Sequence, residues 1–219
     1  MGMRDAYTDQ LDSIRDDLLS MTRLVGEAVS RATQALLDAD AQLAEKVISD
    51  DDAIDALRVR IEDHSFDLLA LQNPVAGDLR MLVASLRMVG EFERMGDLSV
   101  HIAKIARLRV PELAVPDELV PTIARMSAVA EVMVAKVGHI IADSDVAAAE
   151  ELELVDEEMD RLRRSSFREL LGSDWKHGVE PAVDIALLGR YYERIADHAV
   201  SIARRVVFLV TGEQPAYLD

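Results

Sequence analysis

Apolar residues recur along this chain at spacings of three and four. Leu11, Ile14, Leu18, Met21, Val25, Ala28 and Ala32 form one such series, and Val47, Ile54, Leu57, Ile61, His64, Leu68 and Leu71 form the next, with His64 holding its register. This spacing returns side chains to one face of an α-helix, whereas the alternation of a half-buried strand is missing throughout. The prolines at 74, 111, 116, 121, 181 and 215 all fall between or at the ends of these stretches, so no periodic stretch is interrupted where a helix needs its backbone hydrogen bonds. The pattern predicts helices over 4–38, 41–71, 76–109, 117–142, 145–171 and 181–210. Helices of ~33 residues span roughly 50 Å, and short connections make neighbours antiparallel. The expected fold is all-α, an elongated bundle of six long helices.

Three of the six prolines lie between Val110 and Pro121 and separate halves of similar length. At an offset of 105, Leu18 pairs with Ile123, Met21 with Met126, Asp51 with Asp156, Asp55 with Asp160 and Arg58 with Arg163. The register then slips. Phe66 aligns with Phe167, and at an offset of 100 Glu93-Arg94-Met95-Gly96-Asp97 lies over Glu193-Arg194-Ile195-Ala196-Asp197. Shared helical periodicity alone produces apolar matches, but a repeated Glu-Arg-x-x-Asp in the last helix of each half points to duplication. We read two tandem three-helix units, residues 1–110 and 117–212.

Charge narrows the function. With 24 basic and 41 acidic side chains the formal net charge is −17, which disfavours nucleic acid and anionic lipid as partners. The absence of cysteine removes disulfides, thiol catalysis, Cys-zinc sites and iron–sulfur clusters. No apolar run is long enough for a membrane span, and Met1 to Asp12 has no signal-peptide core, so a soluble cytoplasmic protein is expected.

In so acidic a chain, carboxylates four apart are common and each pair alone carries little weight. Two pairs differ by context. Glu93 and Asp97 continue the stripe Leu82, Leu86, Gly90, with Val100 next, and Glu193 and Asp197 continue Ala182, Ala186, Gly189, with Val200 next. Like charges among small and apolar neighbours need compensation from arginine, water or metal. The opposite stripes, Met88-Phe92-Met95-Ile102 and Leu188-Tyr192-Ile195-Ala199-Ile202, are left to fill the core. With turns near Gln72-Asn73 and Trp175–Gly178, antiparallel geometry sets Asp51 and Asp55 level with Glu93 and Asp97, and Asp156 and Asp160 level with Glu193 and Asp197. Four carboxylates per unit suit an oxygen-seeking cation such as magnesium, manganese, iron or zinc. Against this, Ile54, Leu57 and Ile61 define the core face of the second helix and Asp51 lies well round from it. The alternative is an exposed acidic face with salt bridges to Arg58 and Arg163, and Arg94 and Arg194 are further competitors for the acids.

Other chemistries find less support. Di-iron bundles use Glu-x-x-His pairs, and none occurs here. Of the five histidines, His198 beside Asp197 stands out, while His64, His101, His139 and His177 lack such company. No phosphate-cradling glycine loop or Ser/His/Asp order is present, so neither catalysis nor direct phosphate binding is expected.

The runs Gln72-Asn-Pro-Val-Ala-Gly-Asp-Leu-Arg80, Glu93-Arg-Met-Gly-Asp97 and Tyr192-Glu-Arg-Ile-Ala-Asp-His-Ala-Val-Ser-Ile202, with the opening Arg4-x-x-Tyr7-x-x-x-Leu11, resemble the PhoU family of phosphate-transport regulators, nearest its actinobacterial PhoY-like members. The resemblance spans essentially the whole chain. It implies two three-helix bundles, often dimeric, without catalytic activity. It also implies a cytoplasmic protein, peripheral to the inner face of the membrane through its partners, that couples a phosphate ABC transporter to a sensor histidine kinase and represses the starvation response when phosphate is plentiful. Family members carry multinuclear metal clusters on paired acidic motifs, which map here to Glu93/Asp97, Glu193/Asp197, Asp51/Asp55 and Asp156/Asp160. The first motif continues Asp97-Leu98 and the second Asp197-His198, so any role of that histidine is asymmetric. Beside the adapter role stands a second reading: a metal-binding bundle in which the cation is the signal or a catalytic centre. Long helices apolar on two faces require a second cover, supplied by the other unit, a subunit or a partner.

Overall fold

The computed structural model describes residues 3–213, with side chains from Tyr7 onward; Met1 and Gly2, the Arg4 side chain of the opening motif and Pro215 lie outside the described residues. The described chain is helical, with no strand. Its helices are α1 (Met3–Asp38), α2 (Ala41–Asp50), α3 (Asp52–Gln72), α4 (Ala76–Arg109), α5 (Val120–Asp143), α6 (Val146–Leu170) and α7 (Val179–Thr211). They make six rods. The stretch predicted as one helix over 41–71 is broken at Asp51 into α2 and α3, although Asp51 itself keeps helical angles. Residues 117–119, expected as the start of a helix, form a 3-10 turn instead, and Pro121 then opens α5 where a missing N–H costs nothing.

The duplication is visible in the turns. α1 and α5 each end in a left-handed residue, Ala39 (φ 51°) and Ser144 (φ 53°). The next residue, Asp40 or Asp145, donates its N–H back to Ala35 or Ile140 and caps the following helix by accepting from Leu43 N at 2.9 Å or Ala148 N at 3.0 Å. Each pair is 105 residues apart. One local sequence–structure solution serves both halves.

α1, α4, α7 and α5 pack in a ring, each against the next, and the broken rod α2–α3 and the rod α6 lie in the outer grooves α1/α4 and α5/α7. α4 and α7 are antiparallel, since Arg109 near the end of α4 bonds Asp184 at the start of α7 and Arg80 near the start of α4 lies beside Gly212 after α7. The ring buries the stripes read from the sequence: Met88, Phe92, Met95 and Ile102 on α4, and Leu188, Tyr192, Ile195, Ala199 and Ile202 on α7. On α1, Val29 rather than Ala28 reaches full burial, and Leu71, counted with the second stripe, is exposed at the tip of α3. The second apolar face of the long helices is therefore covered by the other repeat. Polar groups cross this seam in pairs: the buried Tyr192 hydroxyl lies 2.6 Å from Thr33 Oγ1, which lies 2.9 Å from Ser127 Oγ. No helix among the described residues is long and apolar enough to cross a membrane.

Candidate functional site

The acidic positions fall into two groups, one per repeat, where an outer rod meets α4 or α7. In the first, Asp51, at the break between α2 and α3, turns its side chain to α4. The residue opposite is Gly96, and a Cβ there would stand 2.7 Å from Asp51 Oδ1 and 3.0 Å from Ile54 Cδ1. The bare backbone thus makes room for a carboxylate, as the antiparallel height argument requires. Burial, reinforced by Asp97, Asp55 and Glu93, pushes the Asp51 carboxyl up to about 6. Glu93 is raised for the same reason, by burial first and then by Asp97, with Arg58 opposing. Asp55 and Asp97 are exposed at the margin of the group. Arg58 stands 3.3 Å from Glu62 and 4.0 Å from Asp55, and Arg94 stands 3.7 Å from Glu91. Among the described residues no arginine or lysine is paired with Glu93.

The second repeat starts alike and ends differently. Asp156 is pushed up to about 6 by burial and then by Asp197, Asp160 and Glu193. Asp197 is raised by the desolvation of its carboxylate, with Arg190 opposing. Yet Glu193 is buried between two guanidinium groups: Arg163 Nη1 lies 3.0 Å from Oε1, and Arg190 Nη1 pairs with Oε2. Asp160 pairs with Arg164 at 3.6 Å, not with Arg163. The competitors expected from the sequence, Arg94 and Arg194, do not hold these glutamates. The residue that does is Arg190, one turn before Glu193, where the first repeat has Gly90. That departure from the repeat was the available signal.

The expectation that the helix-two acids form only an exposed face holds for Asp55, which lies near Arg58, whereas Asp51 and Asp156 turn inward. The carboxylates of each group interact electrostatically but stand apart. Among the described residues no three Asp, Glu or His side chains are drawn together as a closed ligand set.

His198 has a role between repeats. It is buried on α7, and its Nδ1 lies 2.7 Å from Glu91 Oε2 on α4. The hydrogen bond and charge of His198 hold the Glu91 carboxyl below its ordinary value against the opposing effect of burial. Along the same pair of helices His101 stacks on Tyr191 with ring centres 5.3 Å apart. His177 sits in the α6–α7 connection against Glu118. The sequence singled out His198 but gave no pointer to Glu91, because their pairing depends on how the two repeats dock.

The PhoU domain model matches residues 18–106 and again 123–206. Over 213 residues, 97% of this chain, it is 48% identical to the whole of the phosphate-specific transport system accessory protein PhoU homolog 2 of Mycobacterium tuberculosis. It is 46% identical, over the same share and 96% of the relative, to PhoU homolog 1 of Mycobacterium leprae. Among solved structures, PhoU from Pseudomonas aeruginosa superposes with a TM-score of 0.85 at 28% identity, covering 94% of this chain and 100% of that one. The phosphate transport system regulatory protein PhoU from Streptococcus pneumoniae gives 0.86 at 28% identity, covering 95% and 99%. A twice-matched domain, relatives alike along almost the full length and the same six-rod arrangement agree: the chain belongs to the PhoU family.

Proposed function

We propose that this protein is a non-enzymatic regulator of phosphate uptake, working by contact in the cytoplasm at the inner face of the membrane. Its targets are the ATPase of a phosphate ABC transporter and the sensor histidine kinase of the phosphate regulon, and it represses signalling when phosphate is plentiful. The observation that carries this reading is similarity over 97% of the chain to proteins named as accessories of the phosphate-specific transport system. The geometry supports contact at particular places. The second apolar face of the long helices is used within the fold, so it is not the docking surface. Exposed apolar side chains instead gather at the two connections that repeat each other: Leu71, Val75 and Leu79 at the α3–α4 tip, and Leu171, Val179 and Val183 at the α6–α7 tip. Because α4 and α7 are antiparallel, these tips face opposite ends of the α4–α7 pair, an arrangement suited to bridging two bodies or forming a homodimer. The test is binding of the purified protein to the kinase's cytoplasmic region and to the transporter ATPase, with Leu71→Asp/Val75→Asp and Leu171→Asp/Val179→Asp alongside. Wild-type binding that each tip variant weakens selectively for one target is expected. No binding to either target at concentrations well above cellular overturns the adapter reading.

A second reading, a bundle that holds divalent cations (magnesium, manganese, iron or zinc) on Asp51, Asp55, Glu93 and Asp97 and on Asp156, Asp160, Glu193 and Asp197, is favoured by one observation. Asp51 and Asp156 are kept half-buried among like charges at a cost in stability. When bound, a cation would supply the missing countercharge and pull the outer rod onto α4 or α7. Elemental analysis of protein purified without chelator, followed by kinase binding with and without chelator, tests it; metal-free protein that binds no added cation overturns it.

A further inference from the structure

The ring of α1, α4, α7 and α5 has four outer grooves, and the rods α2–α3 and α6 fill only those at α1/α4 and α5/α7. The α4/α7 groove stays open among the described residues, and each of its banks is a stripe with a spacing of seven. α4 contributes Arg87, Arg94, His101 and Leu108, all exposed, and α7 contributes Leu187 and Arg194, also exposed. A stripe of this spacing drifts by only ~20° per step around a helix, so its members share one face. The contacts that close the seam between the two helices fix their register: Glu91 to His198, His101 to Tyr191 and Arg109 to Asp184. That register sets Arg94 within about one turn of Arg194, and Leu108 within about one turn of Val183 and Leu187. The middle of the groove is therefore basic, and one end, at Leu108, Val183 and Leu187, is exposed and apolar. Through Val183 this end is continuous with the α6–α7 tip.

In a chain of net charge −17, a basic stripe without internal partners stands out. Arg31, Arg125 and Arg161 are each held by a carboxylate. Arg87 and Arg194 form no ion pair among the described residues, and Arg94 reaches only Glu91, at 3.7 Å, whose charge is already taken by His198. The exposed acids Asp97 and Asp197 follow Arg94 and Arg194 by three residues and lie on the far side of each stripe, where the outer rods meet the ring. A flat anionic surface would press on those flanking acids and be repelled, whereas one helix, roughly 10 Å wide, fits between them and meets the arginines alone. We infer, on the basis of the contact reading above, that the α4/α7 groove seats an acidic α-helix of a protein partner. Carboxylates along one face of that helix pair with Arg87, Arg94 and Arg194 through charge-assisted hydrogen bonds, and apolar side chains at one end cover Leu108, Val183 and Leu187. From Arg87 to Leu108 the groove runs roughly 30 Å, the length of a helix of about 20 residues.

The probe is a labelled synthetic helix of about 20 residues with glutamates spaced by seven on one face and leucines in its last turn, followed by fluorescence anisotropy on the full-length protein. Wild type should bind it, more weakly as salt is raised, and should not bind the same peptide with lysines in place of the glutamates. Arg94→Glu/Arg194→Glu should weaken binding by roughly tenfold or more, since each exchange turns an attraction into a repulsion. The control is Arg23→Glu/Lys46→Glu, which makes the same change of net charge at exposed positions outside the groove and should bind within about twofold of wild type. Circular dichroism verifies that both variants are folded. The same pair of variants is then compared for binding to the kinase's cytoplasmic region and to the transporter ATPase, where the groove variant should lose one target. Equal peptide binding by the two variants, or none by wild type, overturns the groove. Target binding that the groove variant leaves intact overturns it as the docking surface while the adapter reading stands; peptide binding as expected with no binding to either target overturns the adapter reading instead. Phosphatidylglycerol vesicles bound by wild type and released by the groove variant would give the groove to a membrane, and self-association abolished by that variant would give it to a second copy of the chain; either result overturns the helix as its occupant.

Discussion

Replacing Asp51 by asparagine should stabilise the metal-free protein, and only at neutral pH. In the folded chain this carboxyl is pushed up to about 6 by burial and by Asp97, Asp55 and Glu93; in the unfolded chain it reverts to about 3.9. Between those values the native state binds more protons than the unfolded state, so stability falls as pH rises and the loss is complete above about pH 6 to 7. A shift of about two units corresponds to a ceiling of about 3 kcal/mol at 1.36 kcal/mol per unit. Solvent screening of a half-buried group brings the expected gain from Asp51→Asn to about 1–2 kcal/mol. The side chain makes no cap hydrogen bond to α3, so the amide forfeits none. Urea unfolding in EDTA is the assay. With an m-value of about 2 kcal/mol per M, the midpoint should rise by about 0.5–1 M at pH 7.5. At pH 4.5, where the native carboxyl is already protonated, most of that gain should be gone. A destabilised Asp51→Asn at pH 7.5, or the same stabilisation at both pH values, would refute the electrostatic account of this site.

Three further perturbations probe the seams of the fold. His198→Leu, which copies Leu98 of the first repeat, should cost about 2–3 kcal/mol by leaving Glu91 half-buried without its partner, and adding Glu91→Gln should recover part of that in equilibrium unfolding. Thr33→Val should cost about 1–3 kcal/mol because it orphans the fully buried Tyr192 hydroxyl, and a double-mutant cycle with Tyr192→Phe should show a combined loss smaller than the sum. Ala39→Gly should raise stability by up to about 1 kcal/mol, since Ala39 holds a left-handed conformation that glycine adopts freely; a loss in thermal melting would contradict that.

Much of this molecule follows from sequence because its determinants are local. A spacing of three and four places Ile14, Leu18 and Met21 on one face whatever they pack against, proline marks where helices cannot continue, and the turn Ala39-Asp40 recurs as Ser144-Asp145 through the same short-range hydrogen bonds. The acids of each repeat were legible as well, since an antiparallel hairpin fixes which heights meet. What the sequence could not determine is rotation and docking. Helical periodicity alone sets Asp51 away from the core face, yet Asp51 at the break between α2 and α3 and Asp156 within the continuous α6 are both half-buried, because the neighbouring helices close over that side of each rod. The partner of Glu193 depended on which of several nearby arginines the rod α6 and helix α7 bring within reach, and Arg163 and Arg190 prevail over Arg194 by position. The pair Glu91–His198, 107 residues apart, exists only because α4 and α7 pack antiparallel across the two repeats. The same docking covers the second apolar face that sequence left open to a partner. Local periodicity fixes which residues share a face; only the assembled chain decides which face meets which, because long-range contacts follow from the packing of whole helices and not from the spacing along any one of them.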